Sequence, residues 1–128
     1  MSQAEVIAYW RKSAQEAKEA AYDNFRSGHP DWGFFLWHLA IEKLLKGILI
    51  KKGLIPPPVH DLEKLSLTAK LTLDQKQRAW LSEITSYNIN ARYDDYKRQF
   101  YKKVTQDDYA TKWQKICEDF YLWLEKKY

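Results

Sequence analysis

Cysteine is almost absent from this chain of 128 residues, because Cys117 is the only one and no internal disulfide can form. Disulfide frameworks belong mainly to secreted domains, so the sequence gives no sign of secretion. Glycine and proline are also scarce, at four residues each. Since these two residues mark most turns, their scarcity predicts long elements with few connections. A chain of this length suits one domain, which we expect to span residues 1–128.

Long hydrophobic runs are missing as well. The most apolar stretch, residues 32–50, is too polar to span a membrane. Four side chains interrupt it: His38, Glu42, Lys43 and Lys46. The first residues, Met1–Glu5, lack the basic and apolar pattern of a signal peptide. We therefore expect a cytoplasmic protein without a membrane partner, whose net charge of +4 permits contact with phosphate-rich molecules.

The signatures of common enzyme sites are absent too. The three histidines (His29, His38 and His60) fall in separate segments, and neither Cys-x-x-Cys nor His-Glu-x-x-His occurs, so we predict no metal site. The chain has no Gly-rich phosphate loop and no Gly-x-Ser-x-Gly turn. Cys117 is interpreted as a small buried residue and not as a nucleophile. We accordingly predict no cofactor and no catalytic residue of these classes.

What the sequence does contain is helical periodicity. Apolar and small residues three and four positions apart predict four long helices, at about 3–27, 31–52, 74–91 and 106–126. A short helix is expected at about 62–70, after the extended connector Pro56–Pro58. No segment alternates apolar and polar residues as a half-buried strand does. The predicted fold is therefore all-α, an antiparallel up-and-down bundle of four long helices plus one short helix.

The second helix is apolar around more than one face, so it either lies at the centre of the bundle or buries a second face in a partner. The second alternative favours a homodimer, the commonest closed oligomer. The last helix has a single apolar stripe, which we expect to pack against the first and second helices. That stripe comprises Tyr109, Trp113, Ile116, Phe120, Trp123 and Leu124.

Three segments carry side chains that a ligand could use. In the first, on the second helix, Lys43 and Lys46 share one edge and Lys46 lies one turn after Glu42. The alternative interpretation is a solvated edge of a buried helix. In the second segment, Asp61 is expected to cap the short helix, whereas His60 has no structural role that the sequence explains.

The third segment, Arg92–Lys103, is predicted as a flexible connection. It contains five basic and two acidic residues interleaved with four aromatic residues. Aromatic rings among cations are typical of sites for single-stranded nucleic acids. The alternative is that the tyrosines cover the end of the bundle while Arg92 forms a salt bridge with Asp94 or Asp95.

In this order and spacing the three segments resemble the HEPN domain family, from Tyr9 to the last helix. The matching pieces are Ala40-x-Glu42-Lys43-x-x-Lys46-Gly47, Pro57-x-x-His60-Asp61-Leu62 and Ala91-Arg92-Tyr93-Asp94. The resemblance implies a helical bundle that forms a homodimer. Members of this family act beside a separate minimal nucleotidyltransferase, or are RNA-cleaving toxins of toxin–antitoxin pairs, or are CRISPR-associated nucleases.

The nuclease members carry an arginine followed, after four to six residues, by a histidine. Arg92 matches the arginine, but the positions for the histidine hold Lys97, Arg98 and Gln99. Cleavage of RNA needs a group that exchanges a proton near neutral pH, which histidine does and lysine or arginine does not. Arg92 can still bind a phosphate. The resemblance therefore implies a non-nucleolytic branch of the family.

Three functional hypotheses remain open. The leading one is a homodimeric binding and assembly module that pairs with a separate minimal nucleotidyltransferase and binds a nucleotide or RNA. The second is an RNase with an altered site built from Arg92, His60 and nearby tyrosines, and the third is a purely structural dimer. The anion or nucleotide site of the first hypothesis would consist of Lys43, Lys46, His60, Arg92, Tyr93 and Asp94.

Overall fold

The computed structural model describes residues 1–128 and contains six α-helices and no β-strand. In chain order they are α1 (Gln3–Arg26), α2 (Pro30–Lys51), α3 (Leu62–Thr68), α4 (Gln75–Asn90), α5 (Asp94–Val104) and α6 (Asp107–Glu125). The prediction of an all-α bundle is confirmed, and the five predicted helices begin and end within two residues of the observed ones. No helix combines the length and the apolar character that crossing a membrane requires.

The helix α5 corrects one part of the prediction, because this segment was expected to be a flexible connection. Its first turn contains Asp94 and Asp95, and its last turn contains Lys102 and Lys103, so charges at both ends suit the helix dipole. On the inner side the only fully buried positions are Phe100 and Val104, one turn apart. Two buried residues are too few to show a periodic stripe, which is why the pattern did not predict this helix.

Helix α2 lies at the centre of the bundle and packs against α1, α3, α4, α5 and α6. Most of its apolar residues are buried, among them Phe34, Trp37, Ile41, Leu44, Leu45 and Ile48. Others are only partly buried: Trp32, Phe35, Leu36, Leu39 and Ile50. Neighbours within the chain therefore cover most of the apolar circumference of α2. The structure confirms the central position of this helix, and a second face buried in a partner stays a prediction.

Helix α6 buries its apolar stripe against this core. Ile116, Phe120 and Leu124 are buried, together with Cys117 and Tyr121. Burial raises the pKa of the Cys117 thiol, which keeps it protonated, so the interpretation of Cys117 as a buried filler agrees with the structure. The stripe residues Tyr109, Trp113 and Trp123 lie at its edges and are only partly buried.

Candidate functional site

A line of polar side chains runs along α2 where it faces the loop before α3. His38, Glu42 and Lys46 are four residues apart, so they project from one side of the helix. His38 and Glu42 are nearly as buried as the surrounding core. Buried polar groups are destabilising unless they are hydrogen-bonded, so the hydrogen-bond partners of His38 and Glu42 indicate the role of this edge of α2.

Glu42 holds the centre of this arrangement. Its carboxylate accepts a hydrogen bond from Lys46 Nζ at 3.0 Å, through Oε2, and one from His60 Nδ1 at 2.9 Å, through Oε1. The Glu42 side chain is only 7% exposed, whereas that of His60 is 59% exposed. A buried carboxylate is thus neutralised by one ammonium and orients one accessible imidazole. We call His38, Glu42, Lys46 and His60 the Glu42 cluster.

The backbone of the same loop is fixed by His38. Its Nε2 donates to the carbonyl oxygen of His60 at 2.9 Å, because a carbonyl can only accept. Burial lowers the pKa of His38, and this effect prevails over the opposing influences of that hydrogen bond and of Glu42. His38 is therefore a neutral structural group, and it ties the loop that follows the three prolines to α2.

The side chain of His60 has a different character. Since the Glu42 carboxylate only accepts, the neutral imidazole of His60 carries its proton on Nδ1 and keeps a lone pair on Nε2. A carboxylate that fixes the tautomer and orientation of an accessible imidazole is the arrangement used by acid–base groups. The cluster thus offers an oriented proton acceptor at the surface.

Lys43 lies away from this cluster. Its ammonium donates to Ser13 Oγ on α1, so it connects α1 with α2. Although Lys43 and Lys46 are close on the helix, their charged ends are held by different partners. The structure therefore brings Lys46 and His60 together but does not bring Lys43 to them.

Arg92, which follows the end of α4, lies on the same side of α2 as His38. Its guanidinium is over the rings of Phe35 and Tyr93, at 5.7 and 5.4 Å from their centroids. After burial and other nearby groups, the charge of Arg92 also contributes to the lowered pKa of His38. Nε donates to the carbonyl of Asn88 at 2.8 Å.

Arg92 forms no salt bridge with any carboxylate, which contradicts the alternative in which Asp94 or Asp95 neutralises it. Asp94 and Asp95 instead occupy the first turn of α5. Because only Nε of Arg92 is engaged, the terminal nitrogens of the guanidinium keep their donors for a ligand.

Helix α5 adds a basic and aromatic surface next to Arg92. Tyr93, Tyr96 and Tyr101 are each about half exposed. Between α5 and the start of α2 lies an open groove of about 500 Å³, which we call the α5 groove. It is lined by Asp31, Asp94, Lys97, Arg98, Tyr101 and Lys102. At its edge, Lys97 Nζ lies 4.7 Å from the centroid of the Trp32 ring.

The six residues of the predicted anion site thus fall into four groups. Lys46 and His60 belong to the Glu42 cluster, and Lys43 faces α1. Arg92 and Tyr93 are stacked beside α2, and Asp94 lines the α5 groove. His38 and Glu42 were not among the predicted site residues. The signal that could have identified them is the four-residue spacing of His38, Glu42 and Lys46 within an otherwise apolar helix.

Comparison with known proteins gives one match. The family model described as HEPN domain matches residues 7–127. No curated protein and no solved structure matches the chain significantly.

Proposed function

This chain belongs to the HEPN domain family, and on that premise we propose that it is a homodimeric, non-nucleolytic module that pairs with a separate minimal nucleotidyltransferase and binds RNA or a nucleotide. The observation that carries the binding proposal is an arginine without a carboxylate partner, close in sequence to three exposed tyrosines and to a groove with three cations. Membership in this family by itself associates the chain with nucleotides or RNA.

The chemistry of the α5 groove favours a phosphate-bearing ligand. Its lining contains three cations, Lys97, Arg98 and Lys102. It also contains two carboxylates, those of Asp31 and Asp94. Arg92 lies near this surface with its terminal guanidinium donors available for a bidentate contact with phosphate. The exposed tyrosines offer faces on which unpaired bases stack. A binding site for single-stranded nucleic acid has two components: cations that contact the phosphate backbone, and aromatic rings on which the bases stack.

The non-nucleolytic assignment is supported by the residues that occupy the positions of the histidine in the nuclease motif. Lys97 and Arg98 supply permanent cations in the α5 groove, and Gln99 does not titrate. At neutral pH these side chains bind anions but do not exchange protons with a ribose hydroxyl. In this proposal Arg92 and its neighbours hold a ligand and leave its bonds intact.

The homodimer and the nucleotidyltransferase partner rest on family membership. Light scattering at micromolar concentration should give twice the 15.3 kDa mass of the chain. A particle of single-chain mass would contradict the dimer. Purification from the native host, followed by mass spectrometry, should recover a nucleotidyltransferase, and its absence from a folded preparation would contradict that partner.

Binding is tested by titrating a short single-stranded RNA and a nucleotide into the wild-type protein and Arg92→Ala. We expect Arg92→Ala to bind at least about tenfold more weakly, because a hydrogen bond to a charged group is worth about 1.5–3 kcal/mol. Affinity should also fall as salt rises, since the ligand displaces counterions.

Arg78→Ala is the matched control for this titration, because Arg78 is an exposed arginine near the other end of α4. It should bind like the wild-type protein. If Arg92→Ala and the wild type bind equally, or neither binds, then Arg92 is a structural residue and the proposed site is wrong.

A second function, an RNase with an altered site, is favoured by one observation. The imidazole that the nuclease motif lacks after Arg92 is present on His60, oriented by Glu42. RNA incubated with the protein and a chelator should stay intact under our proposal. Cleavage that disappears in both His60→Gln and Arg92→Ala would instead establish the RNase.

A further inference from the structure

The helices α4 and α6 enclose a second groove, away from the Glu42 cluster and the α5 groove. At one end they are joined by the hydroxyls of Tyr87 and Tyr109, 2.6 Å apart, and by a hydrogen bond from Tyr109 to Glu83. Both helices pack on α2, but they pack little on each other. The space between them is an open groove of about 530 Å³, which we call the α4–α6 groove.

Lysines dominate the charge of this groove. Lys76 comes from α4, whereas Lys112 and Lys115 come from α6, and the single carboxylate is that of Asp119. Asp119 is already paired with Lys115 at 2.9 Å, and this pairing raises the pKa of Lys115. Lys76 and Lys112 form no salt bridge, so each lip of the groove carries one cation without a counterion.

The floor of the groove between these lysines is apolar. Trp80 of α4 and Ile116 of α6 face each other across it. Lys76 Nζ lies 5.2 Å from the centroid of the Trp80 ring. A space between two helices that is apolar at its floor and charged at its lips is complementary to a third, amphipathic helix.

We propose that the α4–α6 groove is a docking surface for an acidic amphipathic helix of a partner chain. Apolar side chains of that helix rest on Trp80 and Ile116, and its carboxylates pair with Lys76 and Lys112. The positive charge of the groove requires a negatively charged partner helix, because a basic segment would be repelled by the two unpaired ammonium groups at the lips.

The same features disfavour a nucleic acid in this groove. It contains no arginine for a bidentate phosphate contact, whereas Arg98 lines the α5 groove. It also offers a single aromatic residue, Trp80, whereas the α5 surface offers three exposed tyrosines. The inference is therefore independent of the binding function proposed for Arg92.

The test uses a fluorescent synthetic peptide of about 14 residues, or four helical turns, with leucines on one face and glutamates on the other. We expect it to bind the full-length protein and to change the emission of the protein's tryptophans. A peptide with glutamine in place of every glutamate should bind at least about tenfold more weakly, since the docking depends on charge.

The protein variants are the double substitutions Lys76→Glu with Lys112→Glu and, as a milder form, Lys76→Ala with Lys112→Ala. Both should weaken binding of the acidic peptide, the charge reversal at least about tenfold. The matched control is Lys12→Glu with Lys126→Glu, which changes net charge equally at exposed positions outside the groove. It should bind as the wild type does. Circular dichroism establishes that each variant is folded.

Three results would overturn the proposal. The acidic peptide could fail to bind the folded wild type, it could bind the groove variants and the wild type equally, or its glutamine version could bind equally well. A single-stranded RNA whose binding is lost in the groove variants and retained in Arg92→Ala would assign the groove to nucleic acid instead. Loss of RNA binding in Arg92→Ala alone concerns the α5 groove and leaves this inference standing.

Discussion

Replacing Phe120 by alanine should lower the free energy of unfolding by about 3–5 kcal/mol, the range observed when a buried phenylalanine is truncated. Phe120 is 1% exposed and lies in the middle of the buried stripe of α6. Its ring is 5.3 Å from that of Trp123, so the truncation removes an aromatic contact as well as apolar burial. Urea denaturation followed by tryptophan fluorescence measures the change.

The matched control is Leu122→Ala on the same helix, because Leu122 is 47% exposed. It should change the unfolding free energy by less than about 1 kcal/mol, since surface substitutions rarely do more. A loss below about 1 kcal/mol for Phe120→Ala would place the stripe at the surface and refute the orientation of α6. Equal losses for the two variants would refute it as well.

The starts of α1, α3 and α4 could be predicted because their capping signals are local, and the long apolar stripes predicted α2 and α6. Ser2 and Glu5 form a capping box at the start of α1, and Asp61 caps α3 through Lys64 N at 3.1 Å. Such bonds join residues three positions apart, so they are visible in the sequence itself. Helix α5 has no side-chain cap and few buried positions, and its formation depends on packing against α2, α4 and α6.

The candidate site could be predicted only in part, for a related reason. The pair of Glu42 and Lys46 follows from helical spacing, and the structure contains it. The contact of His60 with Glu42 depends on how the loop after Pro58 returns to α2, which no periodic pattern encodes. Lys43 likewise turns to Ser13 because α1 lies beside it. Contacts between distant segments are fixed by the packed fold and not by local sequence.

Glu42 links the fold to the site, because its carboxylate joins α2 to the loop that carries His60. It accepts from Lys46 and from His60, and His38 Nδ1 lies 3.9 Å from Oε1. Removing this buried acceptor leaves Lys46 without a counterion and His60 Nδ1 without an acceptor. Any function that uses an oriented His60 therefore depends on Glu42, whether the function is binding or catalysis.

Replacing Glu42 by alanine should consequently lower the free energy of unfolding by about 2–3 kcal/mol. Removing one partner of a fully buried ion pair destabilises by about 3–5 kcal/mol. The Lys46 side chain is 16% exposed and can turn its ammonium toward water, which reduces the loss. Glu42→Gln is the matched control, because it keeps the volume and one acceptor oxygen and removes only the charge, so its loss should be smaller.

A second measurement distinguishes the orienting role of Glu42 from its effect on stability. Nitrogen chemical shifts of the neutral form of the His60 ring should show the proton on Nδ1 in the wild-type protein, because Glu42 accepts it there. In folded Glu42→Ala, the ring should shift toward the Nε2-protonated tautomer that free imidazoles favour. If the wild type and Glu42→Ala show the same tautomer, Glu42 does not orient His60, and a stability change would then reflect only the loss of its pair with Lys46.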